Sequence, residues 1–340
     1  MKRLFARLAG LLRRAPPAPG RFSLSRKSSI HGFLNVAPAP PWREYLLYVP
    51  RGIEALKRPP LVVWIHGCRQ EPEQFALGTR IARLADARGF VVLLPRQSRL
   101  ANSERCWNWF DRRTAGGNGE TAIVAAQTQE VIQKFGIDPG RVYVAGLSSG
   151  AALAATLALR KPGLFSAVAI HSGVPGGAAF DAHDAGRAMS HGPRDSRTDA
   201  FALEARAEAG SKARMPALIL HGSADTSVDP VNASFLTRQF LLFNGVTDLP
   251  PGNALPPSLT RTVHPRAFGY VMSEYYAGRR LAARLLTIPG LGHAWSGGDA
   301  SFTYCDARYP DAGELACEFF ANHRSHRPAG SVGRGGPSPT

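Results

Sequence analysis

The chain has 340 residues, 44% of them hydrophobic, which suffices for one large domain with a sizeable core or two smaller ones. No apolar run reaches the roughly 18 residues that a membrane span requires. The formal net charge of +16 is concentrated at the ends, where residues 1–30 and 323–340 hold eleven basic residues and no acid, so the body carries only about +5 and a specific nucleic-acid partner is not indicated.

Residues 1–41 open with "MKRLFARLAGLLRRAPPAPG" and continue into "APAPPW", which reads as a basic, Pro-rich flexible leader. Arginines interrupt its apolar stretch. It therefore fits a weak export signal and a basic amphipathic helix about equally well. An extracellular or periplasmic location is the first expectation, with a cytoplasmic one as the alternative.

The body is expected to span residues 42–322. "REYLLYVP" reads as a strand, and "PLVVWIHG" as a strand buried on both faces. "EPEQFALGTRIARLADARG" has helical spacing closed by Gly89, and "FVVLLP" is a further buried strand. A helix over "GNGETAIVAAQTQEVIQKFG" precedes the strand "RVYVAG" and the helix "SGAALAATLALRKPG". "FSAVAIHSG" and "PALILHG" complete the run. Strands that are apolar throughout, alternating with helices, predict an α/β fold: a mostly parallel central sheet with helices on both faces. Residues 174–214 break the rhythm and read as a cap or lid insertion, and 245–288 as an antiparallel extension at the sheet edge. The tail from 323 to 340 is Gly/Ser/Pro/Arg-rich and reads as disordered.

"GLSSG" at 146–150 is a G-x-S-x-G match, which a chain with 35 glycines can produce by chance. Its context is what counts. Ser148 falls between an expected strand and an expected helix, the position of a nucleophile elbow, where Gly146 and Gly150 relieve steric crowding. A serine hydroxyl needs a base, and the base needs an orienting acid. Asp225 follows the strand "PALILHG", and His293 follows "LLTIPG", in the order Ser, acid, His. Asp229 is a rival for the acid, but it lies further from the strand end and precedes Pro230. His66, His171 and His221 end apolar strands and are expected to face the site or its floor, while His264 reads as a surface residue. The N–H groups of Cys68 and Ser149 are the candidate oxyanion donors.

Together these motifs resemble the poly(3-hydroxybutyrate) depolymerase-type esterases of the α/β-hydrolase superfamily, which stand close to the feruloyl and acetylxylan esterases of carbohydrate esterase family 1. The resemblance rests on "WIHGCRQ", "RCWNWFD", "IDPGRVYVAGLSSGAALA", "LILHGSADTSVDP", "GLGHAWSGG" and "YPDAGELACEFF", and covers roughly residues 42–322. It implies Ser148 as nucleophile, Asp225 as acid, His293 as base and Cys68 and Ser149 as oxyanion donors, with no metal or organic cofactor. Short-chain poly(3-hydroxybutyrate)-type polyesters or oligomers are the first expected substrates, and feruloyl or acetyl esters of plant polysaccharide the alternative. No separate polymer-binding module is read in the sequence, which favours oligomers or soluble esters over crystalline polymer. The elbow departs from the usual pattern by carrying Ser149 and a single Gly where relatives often have Ala and a Gly pair.

Trp107, Trp109 and Trp295 are expected as a stacking platform for substrate, with core packing as the alternative for one or more of them, Trp109 above all. The four cysteines form no C-x-x-C and can be two disulfides or four free thiols. Cys68 and Cys106 both fall on loops expected at the catalytic face, where a bridge would brace the oxyanion loop, and Cys305 with Cys317 forms a second candidate pair. A rival reading makes the hydrolase fold a binding scaffold docked through the basic leader. Deleting residues 1–41 would abolish binding in that case and leave turnover intact in an esterase.

Overall fold

The structure, a computed structural model, describes residues 20–25, 43–194, 197–263 and 269–325. One sheet takes its strands in the order β1-β2-β4-β3-β5-β6-β7-β10-β9-β8. In chain order these are β1 (Arg21–Ser25), β2 (Tyr45–Val49), β3 (Leu61–Ile65), β4 (Val91–Pro95), β5 (Val142–Leu147), β6 (Ala167–His171), β7 (Ala217–Gly222), β8 (Leu259–Val263), β9 (Tyr270–Ala277) and β10 (Arg280–Ile288). β4, β3, β5, β6, β7 and β10 run parallel to one another. Antiparallel strands flank them, β2 and β1 at one edge and β9 and β8 at the other. The helices are α1 (Pro72–Gly78), α2 (Ile81–Arg88), α3 (Arg112–Ala115), α4 (Gly119–Phe135), α5 (Ser149–Arg160), α6 (Ala182–His191), α7 (Arg197–Ala209), α8 (Val231–Phe243) and α9 (Ala312–Ala321). Two short strands, β11 (Trp295–Ser296) and β12 (Cys305–Asp306), pair separately.

β3 shows why uninterrupted apolar runs were needed. Leu61, Val63 and Ile65 join a core with residues of α4, α5, α7 and α8. The alternate residues Val62 and Trp64 join a second core with residues of α1, α2 and α9. A strand with a polar face could not be covered on both sides. The fully buried Trp64 packs 4.8 Å from the Trp295 ring, and its indole N–H donates to Thr79 Oγ1 at 3.0 Å. Burying each large side chain of this kind contributes about 2–3 kcal/mol from removed apolar area.

Several expectations need correction. The helix expected through residue 88 is two helices, because Arg80 takes a left-handed φ of 56° and the Gly78 carbonyl accepts from the Asp299 N–H at 2.7 Å instead of continuing the helix. The leader is not featureless: Arg21–Ser25 forms β1, which covers the otherwise open edge of β2. The rest of that leader (1–19 and 26–41) lies outside the described residues. The region 174–214 is not one lid. Its second half is α7, the crossover helix between β6 and β7, whose Phe201 and Ala205 are part of the main core. α6 instead packs its Ala185 and Ala188 with Trp109, Val174 and Val228 in a small separate apolar cluster. The start of the expected tail is tied down. Ser325 N–H donates to Gly140 O, and Arg324 pairs with Asp138 at 2.9 Å. Residues 326–340 lie outside the described part.

Candidate active site

The chain goes from β3 to β4 on one side and then returns to place β5 on the other side of β3. Loops leaving the carboxyl ends of β3 and β5 therefore diverge and leave a crevice between them, the position at which open α/β sheets bind ligands. Gly67 and Cys68 leave β3 there, and Ser148 leaves β5.

Ser148 sits between β5 and α5 with φ 57° and ψ −122°, a conformation costly for any residue but glycine. Its own N–H donates to His171 O at 3.0 Å, and its carbonyl accepts from Ala152 N–H, so the backbone is fixed from both sides. The two glycines have the steric role expected. A Cβ on Gly146 would lie 2.4 Å from the Gly150 carbonyl, and one on Gly150 would lie 2.3 Å from His66 O. A Cβ on Gly67 would lie 3.4 Å from Ser148 Cβ, so the loop that carries Cys68 approaches the elbow closely. Ser149, the first residue of α5, accepts the Trp107 N–H through its hydroxyl at 3.3 Å, and Cys68 Sγ lies 3.4 Å from the same oxygen.

The acid and the imidazole come from neighbouring parallel strands. A Cβ on Gly222, at the end of β7, would meet Leu291 O at 2.2 Å, so the loops after β7 and β10 pack without intervening side chain. Ser223 N–H to Ile288 O and Ala224 N–H to Leu291 O, each 3.0 Å, stitch them together. Asp225 Oδ2 then lies 2.8 Å from His293 Nδ1, while its Oδ1 accepts the N–H groups of Ser227 and Val228 at 3.0 and 2.9 Å. Burial would raise this carboxyl, but donors from His221, His293 and Val228 outweigh it and hold the group far below the ordinary carboxylate range. An ionised acceptor orients the His293 ring with its Nδ1 hydrogen toward Asp225. Asp229, the rival acid, instead accepts the Val231 N–H at the start of α8.

The three histidines at strand ends are buried. His66 accepts the Gln97 N–H on Nε2 at 3.2 Å and faces Gly67 O with Nδ1 at 2.7 Å. Burial pushes it down to about 4. His171 accepts the Ser296 N–H on Nε2 at 3.3 Å, and burial, with His221 and His293 nearby, pushes it down to about 3. Both rings are buried and neutral. His264 lies outside the described residues.

The three tryptophans do not form an exposed platform. Trp107 and Trp295 are each 1% accessible and Trp109 4%. The Trp107 indole donates to His66 O at 3.0 Å, Trp295 packs between Trp64, Phe75 and His171, and Trp109 sits in the apolar cluster with Ala152 and Val228. Their area is spent on packing. The aromatic ring facing the imidazole is Tyr304, half-buried, edge-on to His293 at 6.0 Å and at φ 60°. Nothing in "FTYC" marked it. The sequence also gave no sign of Glu120. This buried carboxylate accepts the Asn108 N–H and side chain at 2.6 and 2.8 Å and pins the loop that carries Trp107 to Ser149. Cys68 and Cys106 form a disulfide that links the β3 loop to that same loop. Cys305 and Cys317 are unpaired buried thiols on β12 and α9, pushed up by burial to about 11 and about 12. The second candidate bridge therefore does not form.

No group of three or more His, Cys, Asp or Glu side chains among the described residues is arranged to hold a metal ion. No described helix is long and apolar enough to cross a membrane.

A parallel sheet with a strained serine at its switch point, followed by an acid and a histidine on later strand ends, is an α/β-hydrolase. Among solved structures it is similar to an acetyl xylan esterase from Aspergillus awamori, with a TM-score of 0.67 over 88% of this chain and 99% of that one, at 22% identity. Residues 43–254 match the family described as esterase PHB depolymerase, and the chain belongs to that family. His293 lies beyond the matched residues. A poly(3-hydroxyalkanoate) depolymerase C of Paucimonas lemoignei is 30% identical over 72% of this chain and 57% of its own length. The chain thus spans little more than half of that relative. A feruloyl esterase B of Thermothelomyces thermophilus is 30% identical over 59% of this chain and 70% of its own. A probable acetylxylan esterase A of Aspergillus clavatus is 30% identical over 62% and 69%.

Proposed function

We propose that the protein is a serine esterase in which Ser148 is the nucleophile, His293 the base and Asp225 the orienting acid. The observation that carries this reading is the 2.8 Å Asp225–His293 pair, delivered to the same sheet edge as the strained Ser148 elbow. His293 Nε2 takes the Ser148 proton as Oγ attacks the ester carbonyl carbon. The carbonyl π electrons move to oxygen, and the oxyanion rests on the N–H groups of Cys68 and Ser149. His293 gives its proton to the leaving alcohol as the C–O bond breaks. Water, deprotonated by the same nitrogen, then attacks the acyl-enzyme, and the acid leaves as Ser148 regains its proton. Asp225 stabilises the imidazolium in each half. The chemistry needs no cofactor.

Short-chain poly(3-hydroxybutyrate)-type oligomers are the favoured substrates, supported by the family and by the Paucimonas relative. Feruloyl or acetyl esters of polysaccharide are the second reading, supported by the fungal relatives. An extracellular or periplasmic location is supported by the Cys68–Cys106 disulfide, a bond that reducing compartments disfavour. The test is hydrolysis of p-nitrophenyl esters from acetate to octanoate by the wild type and by Ser148→Ala, followed by a 3-hydroxybutyrate trimer, methyl ferulate and acetylated xylan. Short-ester turnover that Ser148→Ala lowers by about 10³-fold or more fits the reading. Equal activity in both proteins refutes it.

A further inference from the structure

His221 is the last but one residue of β7 and is 1% accessible. Its Nε2 lies 2.9 Å from Val228 O and 3.4 Å from Asp225 Oδ2. A carbonyl only accepts, so Nε2 carries the hydrogen. Nδ1 is buried and has no partner among the described residues. A hydrogen there would be an unsatisfied buried donor, so the ring presents its hydrogen on Nε2. That single N–H faces two acceptors on one turn. Val228 is held twice, its carbonyl by His221 and its N–H by Asp225 Oδ1 at 2.9 Å. Oδ2, the other carboxylate oxygen, receives His293 Nδ1–H from one side and faces His221 Nε2–H from another.

We propose that His221 is a positioning residue for Asp225: its Nε2–H, shared between Val228 O and Asp225 Oδ2, holds the carboxylate turned so that Oδ2 faces His293. This rests on the reading of Ser148, Asp225 and His293 as the catalytic groups. An apolar ring of similar size at 221 fills the space but leaves Val228 O without its donor and Asp225 Oδ2 without its second polar neighbour, so the turn at Val228, whose N–H helps hold Oδ1, loosens and the carboxylate shifts relative to His293. His221 is 1% accessible and out of a substrate's reach, so the loss falls on turnover and not on substrate affinity.

The experiment compares His221→Phe, His221→Asn and His221→Gln with wild type and Ser148→Ala in the full chain, using a p-nitrophenyl ester. Gln places an amide N–H near the position of Nε2, whereas Asn and Phe do not. His221→Phe and His221→Asn are expected to lower kcat roughly 10-fold with KM within about twofold, because misplacing a positioned group costs turnover. His221→Gln restores most of the rate. In proton NMR the low-field resonance of His293 Nδ1–H moves in the Phe and Asn proteins and returns in the Gln protein. Should the Phe variant not fold, Asn against Gln carries the same comparison. The proposal is overturned if the donor-lacking variants keep wild-type kcat, or if Gln falls as far as Asn. An active Ser148→Ala overturns the reading of the site itself. An inactive Ser148→Ala beside fully active His221→Asn and His221→Phe overturns only the role of His221.

Discussion

Lowering the pH from 7 to 5 is expected to destabilise the fold through two buried histidines that remain neutral in it. His66 is pushed down to about 4 and His171 to about 3, both chiefly by burial, against an ordinary value of 6.5. Below 6.5 the unfolded chain binds protons that the folded chain refuses. Stability is therefore full above that value and falls as pH drops toward each folded value. Each group costs about 1.4 kcal/mol per pH unit in that window, so the pair removes roughly 4 kcal/mol by pH 5. That is a large share of the 5–15 kcal/mol that typically separates folded from unfolded protein. Urea unfolding followed by tryptophan fluorescence should show the midpoint falling by about 1 M or more between pH 7 and 5. His66→Gln and His171→Gln keep a side-chain acceptor without a titrating ring, and each should remove about half of the fall. Equal midpoints at the two pH values, or a fall undiminished in both variants, would refute the assignment.

Three further outcomes follow from the geometry around the elbow. Gly150→Ala puts a methyl 2.3 Å from His66 O and should cost several kcal/mol in thermal unfolding as well as most turnover, because only backbone can move to relieve it. Denatured, unreduced protein should titrate two thiols, Cys305 and Cys317, rising to four after reduction. Reduction opens a 38-residue span and should lower stability by about 4 kcal/mol in the chain-entropy account, and four thiols before reduction would remove the bridge. Tyr304→Ala removes the ring edge-on to His293 and should raise KM about 5- to 10-fold for phenolic esters while kcat changes little. An unchanged KM would separate Tyr304 from substrate.

How much of this was legible in the sequence depends on how local the cause is. The strands and the elbow were legible because apolar runs and small residues report their own surroundings: β3 has to be apolar on both faces, and Gly146 and Gly150 admit no Cβ. The strand-end positions of Ser148, Asp225 and His293 were legible because each follows a buried strand. The tryptophans were misread because exposure is a tertiary property. "CWNWF" fits a loop, but the loop folds inward once Glu120 pins Asn108 and the Trp107 indole reaches His66 O. α7 was read as cap because its polar composition masks the few positions, Phe201 and Ala205, that enter the core. His221 is legible as a strand end expected to face the site or its floor. Its relation to Asp225 depends on a turn at Val228 that no spacing encodes.

The most direct test of the central claim is covalent labelling with a p-nitrophenyl alkylphosphonate, followed by peptide mass spectrometry. The phosphonyl group mimics the tetrahedral intermediate and transfers only to an activated hydroxyl as p-nitrophenolate leaves. The account predicts one adduct, on the peptide containing Ser148, absent in Ser148→Ala and formed at least 10²-fold more slowly in Asp225→Asn, where the His293 tautomer is no longer held. An adduct on another residue, or labelling at an equal rate in the wild type and Asp225→Asn, would contradict it.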